Sequence, residues 1–299
     1  MKNQIQQLKQ AKNAVILAHY YVPADVQEIA DYVGDSFYLA KVAKQIDADI
    51  IVFCGVQFMG ESAKILNPGK KVLMPDLTAD CPMAHMVAEG KIEELRKKYD
   101  DLEVVCYINS TAELKCKSDI CVTSSNAVKI VKALPSKNIF FIPDHNLGSF
   151  VAKQVPEKNI ILNDGCCPIH AKITEEQVRA ELEKHPSAKV LTHPECDSSI
   201  LELSDFVGST ADIISFTRSD HGNEYIICTE DGVNYQLLND SPDKRFYYPT
   251  PAPCCVDMKL NTLSAVLSVL ENENNEVTID DTIRGNALRP LERMLEIAR

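Results

Sequence analysis

Apolar residues along the chain fall into two alternating patterns. Short runs rich in β-branched and aromatic residues, such as AVILAHYY, IIVFCG, LEVVCYIN, IFFIPD, AKVLTHPE and YIICTE, stand between stretches whose apolar positions recur at helical spacing. Strand-like runs alternating with amphipathic helical runs predict α/β architecture with parallel strands.

The pattern also repeats. ADYVGDSFYLAKVAKQI, SDICVTSSNAVKIVKAL and SDFVGSTADIISFTRSD each place an aspartate before a short apolar strand, then Ser or Thr, then a helix. The aspartates are Asp31, Asp119 and Asp205, spaced 88 and then 86 residues apart. His19, Tyr107 and His193, at the ends of three upstream strands, keep the same 88 and 86 spacing. Downstream, Cys81, Cys167 and Cys255 follow at 86 and 88. The spacing predicts three homologous αβα sandwich domains with parallel sheets around a pseudo-threefold axis. Their expected extents are 1–85, 86–171 and 172–271, with a C-terminal helix in 272–299 packing back on the first. Parallel sheets carry functional residues at the carboxyl ends of their strands, so the three landmark sets are expected to meet at one central site.

Composition narrows the function class. The net charge of -12 argues against general binding of nucleic acid or anionic membrane, while leaving room for a local positive pocket. Charged or polar residues interrupt every apolar run before it reaches membrane-span length. The opening stretch MKNQIQQLKQAKN has no apolar signal core, which predicts a cytoplasmic protein. In that compartment the eleven cysteines are not expected to form disulfides. Cys54, Cys106, Cys121 and Cys228 sit in or beside β-like runs and read as small buried apolar side chains.

The repeated cysteines differ from these. No CxxC pair supplies a compact zinc knuckle. Three thiolates from distant segments suit a [4Fe-4S] cluster with one iron left free of protein ligands, able to act as a Lewis acid. Two of the cysteines have cysteine neighbours, Cys166 and Cys254, which fit the interval equally well. A following proline, shared by Cys81 and Cys167, favours Cys167 over Cys166; the choice of Cys255 over Cys254 is weaker on internal grounds. Ser36, Ser124 and the pair Ser209 and Thr210 each follow a strand and open a helix. Singly this is ordinary N-capping; three such starts around one centre would form an anion site. His19 with Tyr21, Tyr107 with Asn109, and His193 with Glu195 are spaced two apart at strand ends, so each pair points one way. Tyr21 and Glu195 are candidates for proton transfer, and His170 is a weaker candidate for the cavity wall.

Taken together, ILAHYY, VGDS, GVQFMGESAKILNP, DCPMA, YINS, SSNAVKIV, PDHNLG, HPEC, VGST and CVDMK resemble the quinolinate synthase family, over nearly the whole chain. The resemblance implies three αβα domains that hold a [4Fe-4S] cluster through Cys81, Cys167 and Cys255. The family's methionine and asparagine after the last ligand match Met258 and Asn261, which settles that choice. It implies condensation of iminoaspartate with dihydroxyacetone phosphate to quinolinate, with release of phosphate and two waters, in NAD biosynthesis. Substrate contacts would come from His19, Ser36, Tyr107, Ile108, Asn109, Ser124, His193, Pro194, Glu195, Ser209 and Thr210, with Phe58 and Met59 as walls. Tyr21, Glu195, His19 and His193 would be catalytic. An aspartate-oxidising enzyme would supply the iminoaspartate. The CxxCxxC motif of some members is missing, so a redox switch of that type is not expected. The rival with the same three-cysteine plan is a redox enzyme, either a reductive dehydroxylase or a diphthamide-type radical enzyme. A non-catalytic iron–sulfur sensor and a plain α/β binding protein with inert thiols are further alternatives.

Overall fold

The repeated aspartates begin each unit in the same way. In the computed structural model, which describes residues 1–298, the Asp31 amide donates to the Ile16 carbonyl at 2.9 Å and its carboxylate accepts the Ile16 amide at 2.8 Å. Asp119 does the same to Val104 (3.0 and 2.7 Å) and Asp205 to Val190 (2.9 and 2.8 Å). Each carboxylate thus extends the ladder between the unit's first two strands by one bond, where backbone partners have run out. These aspartates are parts of the scaffold.

The first sheet comprises β1 (Ala14–His19), β2 (Tyr32–Gly34), β3 (Ile50–Cys54) and β4 (Lys71–Leu73), in the order β2-β1-β3-β4. The second comprises β5 (Glu103–Tyr107), β6 (Ile120–Val122), β7 (Asn138–Ile142) and β8 (Asn159–Leu162), in the order β6-β5-β7-β8. The third comprises β9 (Lys189–Thr192), β10 (Phe206–Val207), β11 (Glu224–Cys228) and β12 (Arg245–Tyr247), in the order β10-β9-β11-β12. Every pairing is parallel. One strand order occurring three times is the α/β plan that the spacing predicts.

Both faces of the sheets are covered. In the third, Val190, Ile226 and Cys228 pack in one apolar cluster, while their neighbours Leu191, Tyr225 and Ile227 pack in another. Adjacent strand residues point to opposite faces, so two clusters mean a sandwich. Full burial of each aliphatic side chain contributes about 1.5–3 kcal/mol. The cores of the first two units merge, joined by Val266, Leu270 and Leu291 from the tail. Cys54, Cys106, Cys121 and Cys228 are fully buried, and all eleven cysteines are free thiols.

The C-terminal helix is expected to pack back on the first unit, and it does so only in part. Helix Leu263–Asn272 packs on helix Lys2–Ala11 and β3 of the first unit. Residues 275–277 then run antiparallel along β4, with Val277 donating to Val72 at 2.8 Å. Helix Asp281–Ile297 crosses to the second unit, against helix Ala112–Cys116 and β6, and touches helix Gln57–Leu66 of the first. Two positive-φ residues, Glu273 (51°) and Asn275 (57°), lie between the two tail helices. Among the described residues no helix is long and apolar enough to cross a membrane.

Candidate active site

One cavity is walled by residues that directly follow strands of all three sheets. His19 and Tyr21 come from the end of β1, Ser36 from beyond β2, and Phe58 and Met59 from beyond β3. The second unit gives Tyr107 and Asn109 after β5 and Ser124 after β6. The third gives His193 and Glu195 after β9, Thr210 after β10 and Glu230 after β11.

Cys81, Cys167 and Cys255, each on the loop after its unit's last strand, line the same cavity, whereas Cys166 and Cys254 do not. The three thiols are close enough to influence one another's ionisation, Cys81 with both others. Their sulfurs nevertheless do not all come within 4.8 Å of one another, the spread suited to a single ion. Burial pushes all three thiols up, Cys255 to about 11. Buried thiols in this state become thiolates when a metal supplies the opposing charge. The ligand atoms of Cys167, His170 and Glu195 do lie within 4.8 Å of one another.

The helix starts are less uniform than the repeat suggests. Ser36 and Thr210 are the first residues of their helices and line the cavity, but the caps are Asp35 and Ser209. Ser209 is buried in a capping box with Asp212 and is not a cavity wall. Ser124 lies in a turn ahead of helix Ala127–Ala133, whose cap is Asn126. Ile108 and Pro194 are buried beside the wall residues without lining the cavity.

The polar side chains form a continuous chain of close polar contacts. The Tyr21 hydroxyl lies 2.6 Å from the Thr210 hydroxyl and 2.8 Å from that of Thr229. Thr229 lies 2.9 Å from Nε2 of His170, whose Nδ1 is 2.8 Å from the Glu195 carboxylate. Tyr107 also hydrogen-bonds Glu195. His170 stacks on His193 with centroids 4.7 Å apart. In the first and third units alike, the strand-end histidine accepts at Nδ1 from the amide two residues on, Tyr21 to His19 (3.2 Å) and Glu195 to His193 (3.3 Å). That bond places the imidazole proton on Nε2.

Burial depresses both His19 and His193 to about 3, so they are neutral at physiological pH. Burial raises Tyr21 and Tyr107 well above the ordinary tyrosine range. For Glu195 burial opposes ionisation, but the neighbouring His170 outweighs it and holds the carboxyl below its usual range. Two buried atoms on the wall residues have no partner, Oδ1 of Asn109 and Oε1 of Glu195. Such atoms are costly unless a ligand completes them.

Sequence reasoning passed over Thr229, Glu230 and Asp144. Glu230 and Asp144 each stand two residues beyond the third strand of their unit, 86 apart. The 86-residue interval that relates Asp119 to Asp205 and Tyr107 to His193 would have found them.

The chain matches the quinolinate synthetase A protein family over residues 3–296. It belongs to that family. A Fusobacterium nucleatum protein named quinolinate synthase is 53% identical over 298 residues, covering 100% of this chain and 99% of its own. The Caldicellulosiruptor saccharolyticus protein of that name is 51% identical, with 100% and 98% covered. For the Aquifex aeolicus one the identity is 49%, with 100% and 94% covered. The quinolinate synthetase A family therefore spans the whole three-sheet fold, with no unit left over as a separate module.

Proposed function

We propose that the chain is a quinolinate synthase: an enzyme of NAD biosynthesis that condenses iminoaspartate with dihydroxyacetone phosphate and releases phosphate and two waters. The observation that carries this reading is the cavity itself, where one cysteine from each unit meets neutral His19 and His193 and the Tyr21–Glu195 chain. The names of the relatives support it.

The donor set fits a [4Fe-4S] cluster. Three soft sulfur donors on separate segments are spread too widely for one ion, and among the described residues no fourth cysteine lines the cavity. Cys81, Cys167 and Cys255 would hold it, and when bound it supplies a Lewis acid toward a substrate oxygen at the iron without a protein ligand. The remaining chemistry belongs to the chain. His19 and His193, with their protons on Nε2, donate hydrogen bonds to anionic substrate groups without adding charge. Ser36 and Thr210 present helix N-termini to the same groups. Asn109 offers its unpartnered Oδ1 to a substrate donor. Glu195, held ionised, accepts a proton at its free Oε1, and the chain through His170 and Thr229 leads to Tyr21, which returns one. Phe58 and Met59 exclude water from one side.

The test is direct. Anaerobically reconstituted protein should make quinolinate from the two substrates with no reductant. An absolute need for a reductant would favour the redox reading, and no product would reject the assignment. Iron and acid-labile sulfide should be present in equal amounts. A single metal without sulfide would instead point to the closer set of Cys167, His170 and Glu195.

A further inference from the structure

The backbone amides of all three cavity cysteines share a feature. The Cys167 amide donates to Oδ2 of Asp144 at 3.1 Å, the Cys255 amide to Oε1 of Glu230 at 3.0 Å, and the Cys81 amide to Oδ1 of Asp80 at 2.7 Å. Each cysteine's N–H is therefore held by a carboxylate.

Two of these carboxylates are copies of one device. Asp144 and Glu230 each stand two residues past the end of a third strand, 86 apart, the interval that separates Asp119 from Asp205 and Tyr107 from His193. They are 0% and 1% exposed. Each uses its other oxygen as a local cap: Asp144 accepts the Leu147 amide at 2.6 Å, and Glu230 the Gly232 amide at 2.7 Å. One side chain thus fixes the turn after the strand and the cysteine loop about 25 residues later in the chain. The equivalent place in the first unit, 88 residues before Asp144, is Val56, which makes no side-chain cap. There Asp80 takes over, half-exposed and bound on its other oxygen by His85 at 2.7 Å. The bond to the cysteine amide is kept although the residue that makes it has changed place.

We propose that Asp144, Glu230 and Asp80 are positioning residues for the metal-binding cysteines: each clamps one ligand's amide, aiming its thiol at the cavity and keeping that N–H from the sulfurs of the bound group. The inference rests on the reading that the three cysteines hold an iron–sulfur cluster. Hydrogen bonds to cluster sulfurs and nearby net charge set the reduction potential, and partners behind the ligands are worth about 10- to 100-fold in metal affinity. Amides tied to carboxylates withhold those hydrogen bonds, which keeps the potential low and suits a reaction that uses no electron.

The experiment compares wild type with Asp144→Asn, Glu230→Gln, Glu230→Asp and Asp80→Asn after anaerobic reconstitution. It reads iron retention against a chelator and the midpoint potential by spectroelectrochemistry. Asp144→Asn keeps a good helix cap, because Asn serves there as well as Asp. Asp144→Asn and Glu230→Gln should lower iron affinity about 10- to 100-fold and shift the potential upward. Asp80→Asn should shift it less in the same direction, and Glu230→Asp should restore the wild-type potential, since Asp144 does this work in the second unit. Variants with wild-type potential and iron retention would overturn the proposal. Wild type that binds no iron and sulfide would instead overturn the cluster reading beneath it. Should Asp144→Asn fail to fold, Asp80→Asn, at a half-exposed residue, carries the same test.

Discussion

His170 of the second unit sets its Nδ1 2.8 Å from the carboxylate of Glu195 in the third. The contact crosses between units at full burial, and it brings Glu195 to the hydrogen bonds that run from His170 through Thr229 to Tyr21.

Glu195→Gln should keep the side-chain volume and the hydrogen bond from Tyr107 while removing the base. Loss of a positioned general base typically costs about 10²- to 10⁴-fold. The expected outcome in steady-state kinetics is a fall in kcat of that size with KM little changed.

Cys167 lines the cavity and Cys166 does not, although they are adjacent. Cys167→Ser should abolish the cluster absorbance and most bound iron in anaerobic reconstitution. Cys166→Ser should leave both at wild-type levels. The reverse result would mean the loop presents the other thiol.

Asn261, fully buried, exchanges two hydrogen bonds with Gly55: its Oδ1 accepts the amide at 3.1 Å and its Nδ2 donates to the carbonyl at 3.0 Å. This ties the segment after Cys255 to the end of β3. Asn261→Ala strands both buried backbone groups, each costing about 1–3 kcal/mol. Thermal unfolding should begin markedly earlier, with an aspartate in its place no better than alanine.

Asp220 illustrates pH linkage away from the site. Hydrogen bonds from Lys189 (2.6 Å), Gly222 (2.9 Å) and Tyr225 (2.9 Å) outweigh its desolvation and hold it down to about 2. A depressed carboxyl stabilises the fold at every pH above its unfolded value near 3.9 and loses that contribution as pH falls through about 2. Asp220→Asn should therefore lower the melting temperature at pH 7, and its gap from wild type should close as the pH approaches 2.

The sequence made the strand–helix alternation and its threefold repetition legible, because parallel strands end in chemistry and the chemistry recurred at fixed spacing. His19, Tyr107 and His193 could be placed on strand ends from their neighbours alone. The aspartates at 31, 119 and 205 recurred as well, yet they serve the backbone; repetition marks shared geometry, whether for scaffold or for site. The course of the tail was not legible. Glu273 and Asn275 turn it through positive φ values, which an asparagine favours and a glutamate does not announce. Asp144 was missed because it lies behind the wall, bonded to the backbone amide of a different residue. Thr229 was missed because a threonine closing a strand-like run looks like any β-branched strand residue until its neighbours are placed.

The strip at residues 275–277 has a consequence for how the protein behaves in company. β4 is the outermost strand of its sheet, and its Val72 and Leu73 are fully buried. With the strip in place, the free amides and carbonyls of that border are consumed by the chain's own end. A chain cut after Asn272 would present them bare, as a template for a second molecule to zip onto. The tail thus covers a border that would otherwise invite self-association.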